Sequence, residues 1–313
     1  MNAKVDFFCL NADFSTTRIV SSSPPDGNAI ANENFHSSLY LKPNQFRKGE
    51  GGLRVKWYYK KSRPDKKLVT IITVIFNGES YLEQTILSVI NQSYDNVEYI
   101  VIDAGSTDNT INIIKRYEDC IDYWVSEKDN GIYDAMNKGI SLASGVITNL
   151  LNADDYYNDE QVIANVLSQV NGCKNSIFVG DTLLVGERSS NVFHCKEKVK
   201  ALYYQIPFMH PSCFIPIEVY QQAGLYSLSY RIASDVDFLM RIIYAGTLIT
   251  HLPFTAVAMR QGGLSNSSYI RGRKEYAKIY LKHSGNVIGM LYGLIKSILF
   301  YYLAKFKRLH FFG

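Results

Sequence analysis

Cysteine is scarce in this 313-residue chain. The five present (Cys9, Cys120, Cys173, Cys195 and Cys213) are scattered, odd in number and never in a CxxC pair. That usage argues against a disulfide framework and fits a reducing cytoplasm. The opening "MNAKVDFFCL" is too short and too acidic for an export signal, which leads to the same expectation. Two phosphate-binding signatures are missing as well. No GxxxxGK precedes a helix and no GxGxxG follows the first strand, which speaks against P-loop kinases and dinucleotide oxidoreductases. Acid is nearly absent from the C-terminal part. From Arg271 to Gly313, nine Lys or Arg stand against Glu275 alone, a local balance of +8 within a net charge of +4. The body is therefore mildly acidic, and the basic tail points to an anionic surface as partner rather than a nucleic acid.

What is present is regular. Residues 1–50 are rich in Ser, Asn, Pro and Gly and read as a loosely structured lead-in, with one short strand around Asp6–Leu10. Residues 51–67, "GGLRVKWYYKKSRPDKK", form a basic, aromatic connector. "LVTIITVIF" (68–76) is a β-rich apolar run of buried-strand length, broken by Asn77-Gly78 and followed by a helical period over Tyr81, Leu82, Ile86, Val89 and Ile90. "VEYIVID" (97–103), "DYWVSE" and "VITNLLNADD" repeat the strand signal. "INIIKRYED" and "IYDAMNKGISLA" supply helices between them. Strand and helix in strict alternation mean parallel strands with right-handed crossovers, a Rossmann-like α/β sheet.

Ligands of such sheets sit beyond the carboxyl ends of the strands. Asn77, Asp103, Glu127 and the pair Asp154–Asp155 all fall there. Two adjacent carboxylates at the tip of a buried strand repel and lose hydration, so a divalent cation is the expected companion. Simpler roles stay open: Asp103 as a turn-former or helix cap, and Asp154–Asp155 as the cap of a helix near Asp159.

The stretches "ITVIFNGESYLEQTILSVINQSY", "EYIVIDAGSTDNT", "SEKDNGIYDAMNKGISLASG" and "LLNADD" closely resemble glycosyltransferase family 2, nearest to its bacterial exopolysaccharide and lipid-linked glycan branch. The resemblance covers roughly residues 50–265. It implies a GT-A fold of the α/β class, with a nucleotide-sugar half (68–155) and an acceptor half (156–270). It also implies inverting hexosyl or N-acetylhexosaminyl transfer from a nucleotide sugar, typically UDP-linked. The acceptor would be a hydroxyl of a membrane-associated glycan or polyprenyl-linked molecule, and Mg²⁺ or Mn²⁺ the cofactor.

By the family pattern Asp155 matches the metal ligand, and Asp154 a ribose or metal-water contact. Asn152 stands where many relatives carry Asp. Asp103 matches the acceptor of a base N–H, with Ala104 in place of a second Asp. Asn77 and Glu79 would lie along base and ribose. Asn137 matches the Asn of the family's Ala-Arg-Asn segment, but Met136 replaces the Arg. Diphosphate neutralisation would then lean on the metal and on Lys138, unless Lys138 is simply a solvated helix residue. His210, in an HP segment, would touch diphosphate or metal, orient the acceptor, or be a buried structural histidine.

Ser234-Asp235 matches the family's acidic pair, making Asp235 the expected base. Inversion needs one carboxylate on the face opposite the leaving group. Asp237 matches a structural acid pairing with Arg241 one turn on. "RQGGLSNSS" (260–268) resembles a glycine-rich loop closing over the donor.

Residues 271–313 read as a basic helical tail. "VIGMLYGLIKSILFYYLA" (287–304) has the length of a membrane span, yet Lys296 at its centre would cost about 2.5–3.5 kcal/mol. An amphipathic helix at the inner face of the cell membrane fits better, with Tyr292, Tyr301 and Tyr302 at the headgroups and Lys305, Lys307 and Arg308 on anionic lipid. A helix packed on the catalytic domain is the other reading, and Gly289 with Gly293 forms a small-xxx-small pair. A nucleotidyltransferase is disfavoured, because no glycine-rich basic loop follows the first strand. A nucleotide-sugar-binding protein with an altered site remains the alternative, given Asn152 and Ala104.

Overall fold

A computed structural model describes residues 6–25, 35–170, 175–187, 189–196, 206–262 and 269–310, with the backbone alone at 269, 300, 301 and 303–310. The glycine-rich segment after Gly262 lies outside the described residues.

The strands are β1 (Phe7–Phe8), β2 (Val20–Ser21), β3 (Arg47–Gly51), β4 (Val69–Ile75), β5 (Val97–Asp103), β6 (Tyr123–Glu127), β7 (Ile147–Leu150), β8 (Tyr156–Tyr157), β9 (Ser176–Val185), β10 (Ser190–Phe193), β11 (Cys213–Pro216) and β12 (Leu248–Arg260). The α-helices are α1 (Leu82–Ile90), α2 (Thr110–Arg116), α3 (Ile132–Leu142), α4 (Val162–Gln169), α5 (Ile217–Ala223), α6 (Ser234–Tyr244), α7 (Tyr269–Ser284) and α8 (Val287–His310). The main sheet runs β3-β6-β5-β4-β7-β11-β9-β12-β8, with β10 paired to β9.

β4 and β5 are buried along their whole length because helices cover both faces, which is why they read as unbroken apolar runs. They pair in parallel from Val69–Val97 to Ile75–Asp103, and β7 and β6 add in parallel on either side. Ile72, Val74, Ile100 and Ile102 face α3 and α6 on one side of the sheet. Ile71, Ile75, Tyr99 and Val101 face α1, α2 and α4 on the other. β11 then runs antiparallel between β7 and β9, and β12 is parallel to β9. The carboxyl ends of β4, β5, β6, β7, β9 and β12 therefore share one sheet edge. β9 and β10 pair antiparallel as a hairpin.

Two boundaries differ from the sequence reading. Residues 47–50, expected within the lead-in, and Gly51 of the connector form the edge strand β3 against β6. "RKGEG" carries no apolar period, so nothing local announces it. The strand docks because Gly49 and Gly51 leave room for the Trp124 ring; a Cβ on Gly51 would stand 2.5 Å from the indole nitrogen. The basic connector carries buried cations. Arg54 is buried on Glu98 at 2.6 Å and also donates to the Leu142 carbonyl. Lys60, equally buried, donates to the Ile19 carbonyl at 2.7 Å. Burial drives the Asp122 carboxyl upward, and the Lys60 charge opposes that rise.

The second boundary is at 271. α7 belongs to the acceptor side rather than to a separate tail. Glu275, its only acid, accepts the backbone N–H groups of Ile232 and Ala233 at 2.9 and 3.1 Å, just before α6. Lys282 and His283 both reach Asp237 at 3.0 Å, alongside Arg241 at 3.5 Å. Tyr276, Ile279 and Tyr280 enter the core beside α6.

Burial alone would raise the Asp237 carboxyl. The bonds from His283 and Lys282, with the charges of Lys282 and Arg241, outweigh that and leave it below the ordinary value. A depressed folded-state value means stabilisation that is complete above the unfolded value and lost as pH falls through the folded one. Asp237→Asn should cost about 3 kcal/mol near neutral pH and flatten the acid limb of the stability curve. Urea melts from pH 7 down to pH 3 would measure both; an unchanged midpoint would show that Asp237 ties nothing together.

Candidate active site

The edge where the strands end is organised by two loops laced to each other. Asn77, just past β4, adopts a left-handed conformation with φ 51°. Its backbone N–H donates to Ser106 Oγ at 2.8 Å, and its side-chain oxygen accepts the Thr107 N–H at 2.9 Å. Glu79 accepts the N–H of Asn109 at 2.8 Å, and Asp108 accepts that of Glu79 at 3.1 Å. Asn77 and Glu79 thus lie at the expected edge and brace the 104–110 loop. Phe76, beside them, is 63% exposed. Asp103 is fully buried. It accepts the Gly105 and Ser106 N–H groups at 3.2 and 3.0 Å, the Ser126 hydroxyl at 2.5 Å and the Ser106 hydroxyl. The oxygens of this carboxylate are turned inward to hold the loop.

The acidic turn after β7 is built differently. The Thr85 hydroxyl of α1 lies 2.8 and 2.7 Å from the carbonyl oxygens of Ala153 and Asp155, fixing the turn to the helix. Asp155 is buried, its two oxygens accepting Asn152 Nδ2 at 3.0 Å and the Arg260 N–H at 3.2 Å. Burial, then the neighbouring Asp154 charge, pushes Asp155 up to about 7, while Asn152 and Arg260 oppose the rise. Burial raises Asp154 as well. Asn152 Oδ1 is buried with no hydrogen-bond partner among the described residues.

An orphaned amide oxygen is costly unless something positive meets it. Among the described residues no three His, Cys, Asp or Glu side chains converge as a closed metal cage. Two carboxylates with one free amide oxygen instead suit a hard cation that takes its other ligands from phosphate and water.

Arg260, the last residue of β12, closes this turn. Its guanidinium stacks over Tyr81 at 4.3 Å and Tyr156 at 4.9 Å, and donates to the Asp154 carbonyl and to Gln84. The sequence reading passed over it for the glycines that follow. The missed signal was a cation ending a strand whose carboxyl end meets two acids.

A second cluster forms where α6, α3 and the β11 entry meet. Asp235 accepts the Tyr133 hydroxyl at 2.9 Å, and the same hydroxyl lies 2.6 Å from the Ile232 carbonyl. His210 Nε2 is 2.7 Å from the Tyr226 hydroxyl, and the Tyr133 and Tyr226 rings are 5.8 Å apart. Burial lowers His210, with the Asp235 charge opposing, and burial raises both tyrosines far above their ordinary value. The imidazole is therefore neutral at pH 7, and both phenols keep their protons, that of Tyr133 being donated to Asp235. β11 pairs Phe214 with Asn149, so His210, on its N-terminal side, stands at the edge to which Asn152 also belongs.

Two residues expected near the donor have partners within the protein. Asn137 donates to and accepts from the backbone of Tyr226, at 2.9 Å each, anchoring α3 to the loop that carries the phenol. Lys138 pairs with Glu127 at 3.0 Å and Asp134 at 3.6 Å, and Arg47 holds Glu127 from β3.

This architecture is shared by solved GT-A glycosyltransferases. Staphylococcus aureus TarS 1–349 in complex with UDP-GlcNAc aligns with a TM-score of 0.57 and 15% identity, over 74% of this chain and 71% of that one. A Pyrobaculum calidifontis mannosyltransferase in complex with GDP-Man and Mn²⁺ aligns with a TM-score of 0.56 and 17% identity, over 71% and 65%. These likenesses establish the fold. The family model described as "Glycosyl transferase family 2" matches residues 70–219. An uncharacterized glycosyltransferase of Mycobacterium tuberculosis is 33% identical over 180 residues, 55% of this chain and 68% of that protein. A PGL/p-HBAD biosynthesis glycosyltransferase of the same species is 28% identical over 207 residues, 64% and 80% of the two chains. The chain belongs to glycosyl transferase family 2 and is a glycosyltransferase of GT-A fold.

Arg260→Ala should loosen the acidic turn without unfolding the sheet. Amide exchange at 152–155 should quicken about tenfold or more, while α6 keeps its protection. Equal exchange in the variant would mean that Thr85 and Asn152 hold the turn alone.

Proposed function

We propose that the enzyme moves a hexose or N-acetylhexosamine from a nucleotide sugar, with UDP as first candidate, to a hydroxyl of a glycan or lipid-linked acceptor with inversion. The observation that carries this reading is the pairing of two unlike acidic sites on one edge of the sheet. One is buried, raised and matched to an orphaned amide oxygen; the other, Asp235, is half-buried and oriented by a phenol.

Asp155, with Asn152 Oδ1 and Asp154, would hold Mg²⁺ or Mn²⁺. When bound, that ion supplies positive charge against the leaving diphosphate. The solved relative with GDP-Man and Mn²⁺ supports a divalent ion, and the one with UDP-GlcNAc supports a uridine donor. Phe76 offers an exposed flat face on which a base can stack, and Asn77 and Glu79 keep the loop beside it in place.

On the acceptor side, Tyr133 fixes the Asp235 carboxylate. Asp235 takes the proton of the acceptor hydroxyl while that oxygen attacks the anomeric carbon. The bond to the diphosphate oxygen breaks, and its electron pair leaves with the nucleoside diphosphate. Attack from the face opposite the leaving group inverts the centre, and one base suffices. Neutral His210, in contact with Tyr226, would orient the acceptor.

Two variants separate the roles. Asp155→Ala should lose metal-dependent UDP binding, read by thermal shift with Mn²⁺, along with transfer. Asp235→Asn should keep that binding while nucleoside diphosphate release in the presence of acceptor falls about 10²-fold or more. Wild-type UDP binding by Asp155→Ala would overturn the metal assignment, and full turnover by Asp235→Asn would remove the base.

A further inference from the structure

The last described helix carries an exposed apolar stripe that the catalytic reading does not use. α8 spans 24 residues and packs on α7, and Met290 reaches the acceptor-side core. The side it turns inward holds Gly289, Gly293 and Ser297, all buried. The small-residue pair is thus used within the chain rather than left for a second copy. The other side bears Leu291, Tyr292, Ile295, Leu299, Tyr302 and Ile288, the last 81% exposed and Ile295 64%. At the helical period these six fall within about 100° of arc. A single apolar stripe this long on a surface helix marks an interaction face.

Charge identifies what covers it. After Glu275 the chain has no acid, while Lys278, Lys282, Lys296, Lys305, Lys307 and Arg308 are basic. Lys296 lies over the Tyr292 ring at 5.9 Å, on the flank of the stripe. A second copy of the same helix would bring like charges together, whereas anionic headgroups complement them. Among the described residues no helix is long and apolar enough to cross a membrane, so the stripe suits a helix lying in the interface plane.

We propose that α8 docks the enzyme on an anionic lipid bilayer, its apolar stripe at the acyl boundary and its lysines and arginine at the headgroups. Because α7 joins this helix to α6 through Glu275 and Asp237, the docked surface is mechanically continuous with the helix that carries Asp235. An acceptor anchored in the same bilayer then meets the site by diffusion in two dimensions. The docking itself does not depend on which sugar or acceptor is used.

Co-sedimentation of the full chain with vesicles tests this. Phosphatidylcholine mixed with phosphatidylglycerol should bring the protein down, phosphatidylcholine alone should do so weakly, and added salt should reduce the bound fraction without abolishing it. Joint substitution Ile288→Asp and Ile295→Asp should lower partitioning about tenfold or more with the thermal midpoint unchanged. Lys305→Gln, Lys307→Gln and Arg308→Gln together should lower it about a hundredfold on anionic vesicles only. The proposal fails if the wild type stays in the supernatant with the mixed vesicles, or if the folded Ile288/Ile295 variant binds like the wild type. It fails too if sedimentation equilibrium gives a dimer that this variant dissolves, since the stripe would then be covered by a second copy.

Discussion

The repulsion between Asp154 and Asp155, enforced by burial at the end of β7, is the constraint around which the molecule is arranged. A carboxylate pair in water would simply separate or ionise. Here the turn is pinned from below by Thr85 of α1 and from the side by the backbone of β12, so neither acid can leave. Asp155 is consequently driven up to about 7, and an amide oxygen is left without a partner beside it. The length of β12 follows from the same need. Its 13 residues bring Arg260 to the acidic turn, where two tyrosine rings hold the guanidinium against the backbone of Asp154. Strand, helix and cation are positioned by one electrostatic problem.

The sheet solves a second problem, that of bringing unlike chemistry to one edge. Parallel strands β4, β5, β6 and β7 deliver their ends to the donor side by topology alone. The antiparallel strand β11 reverses direction and returns His210 to the same edge, and α6 adds Asp235 from the covering layer. Asn137 then locks α3 to Tyr226, so the two phenols that frame His210 and Asp235 move as one body.

How much could be read beforehand depended on whether a residue's role is local. β4 to β7 were legible because burial on both faces leaves a continuous apolar run. The Asp154–Asp155 pair was legible because a charge at the end of such a run demands a reason. β3 was not, since "RKGEG" has no period and its docking depends on Trp124, 73 residues away from Gly51. The burial of Arg54 and Lys60 was hidden for the same reason: their partners, Glu98 and the Ile19 carbonyl, lie far off in sequence. Lys138 and Asp103 carried the right chemistry for a ligand, but neighbouring strands had already engaged them.

The buried cations beneath the sheet have a further consequence, for the unit that can be exchanged between proteins. The family-matching span begins at residue 70, after Arg54 and Lys60, yet Glu98 and Asp122 lie within it. A segment excised at the motif limits would part Glu98 from the guanidinium it pairs with and Asp122 from the Lys60 charge that opposes its rise. The transferable module of this chain is therefore bounded by charge balance, and its N-terminal limit lies upstream of the first recognisable strand of the family.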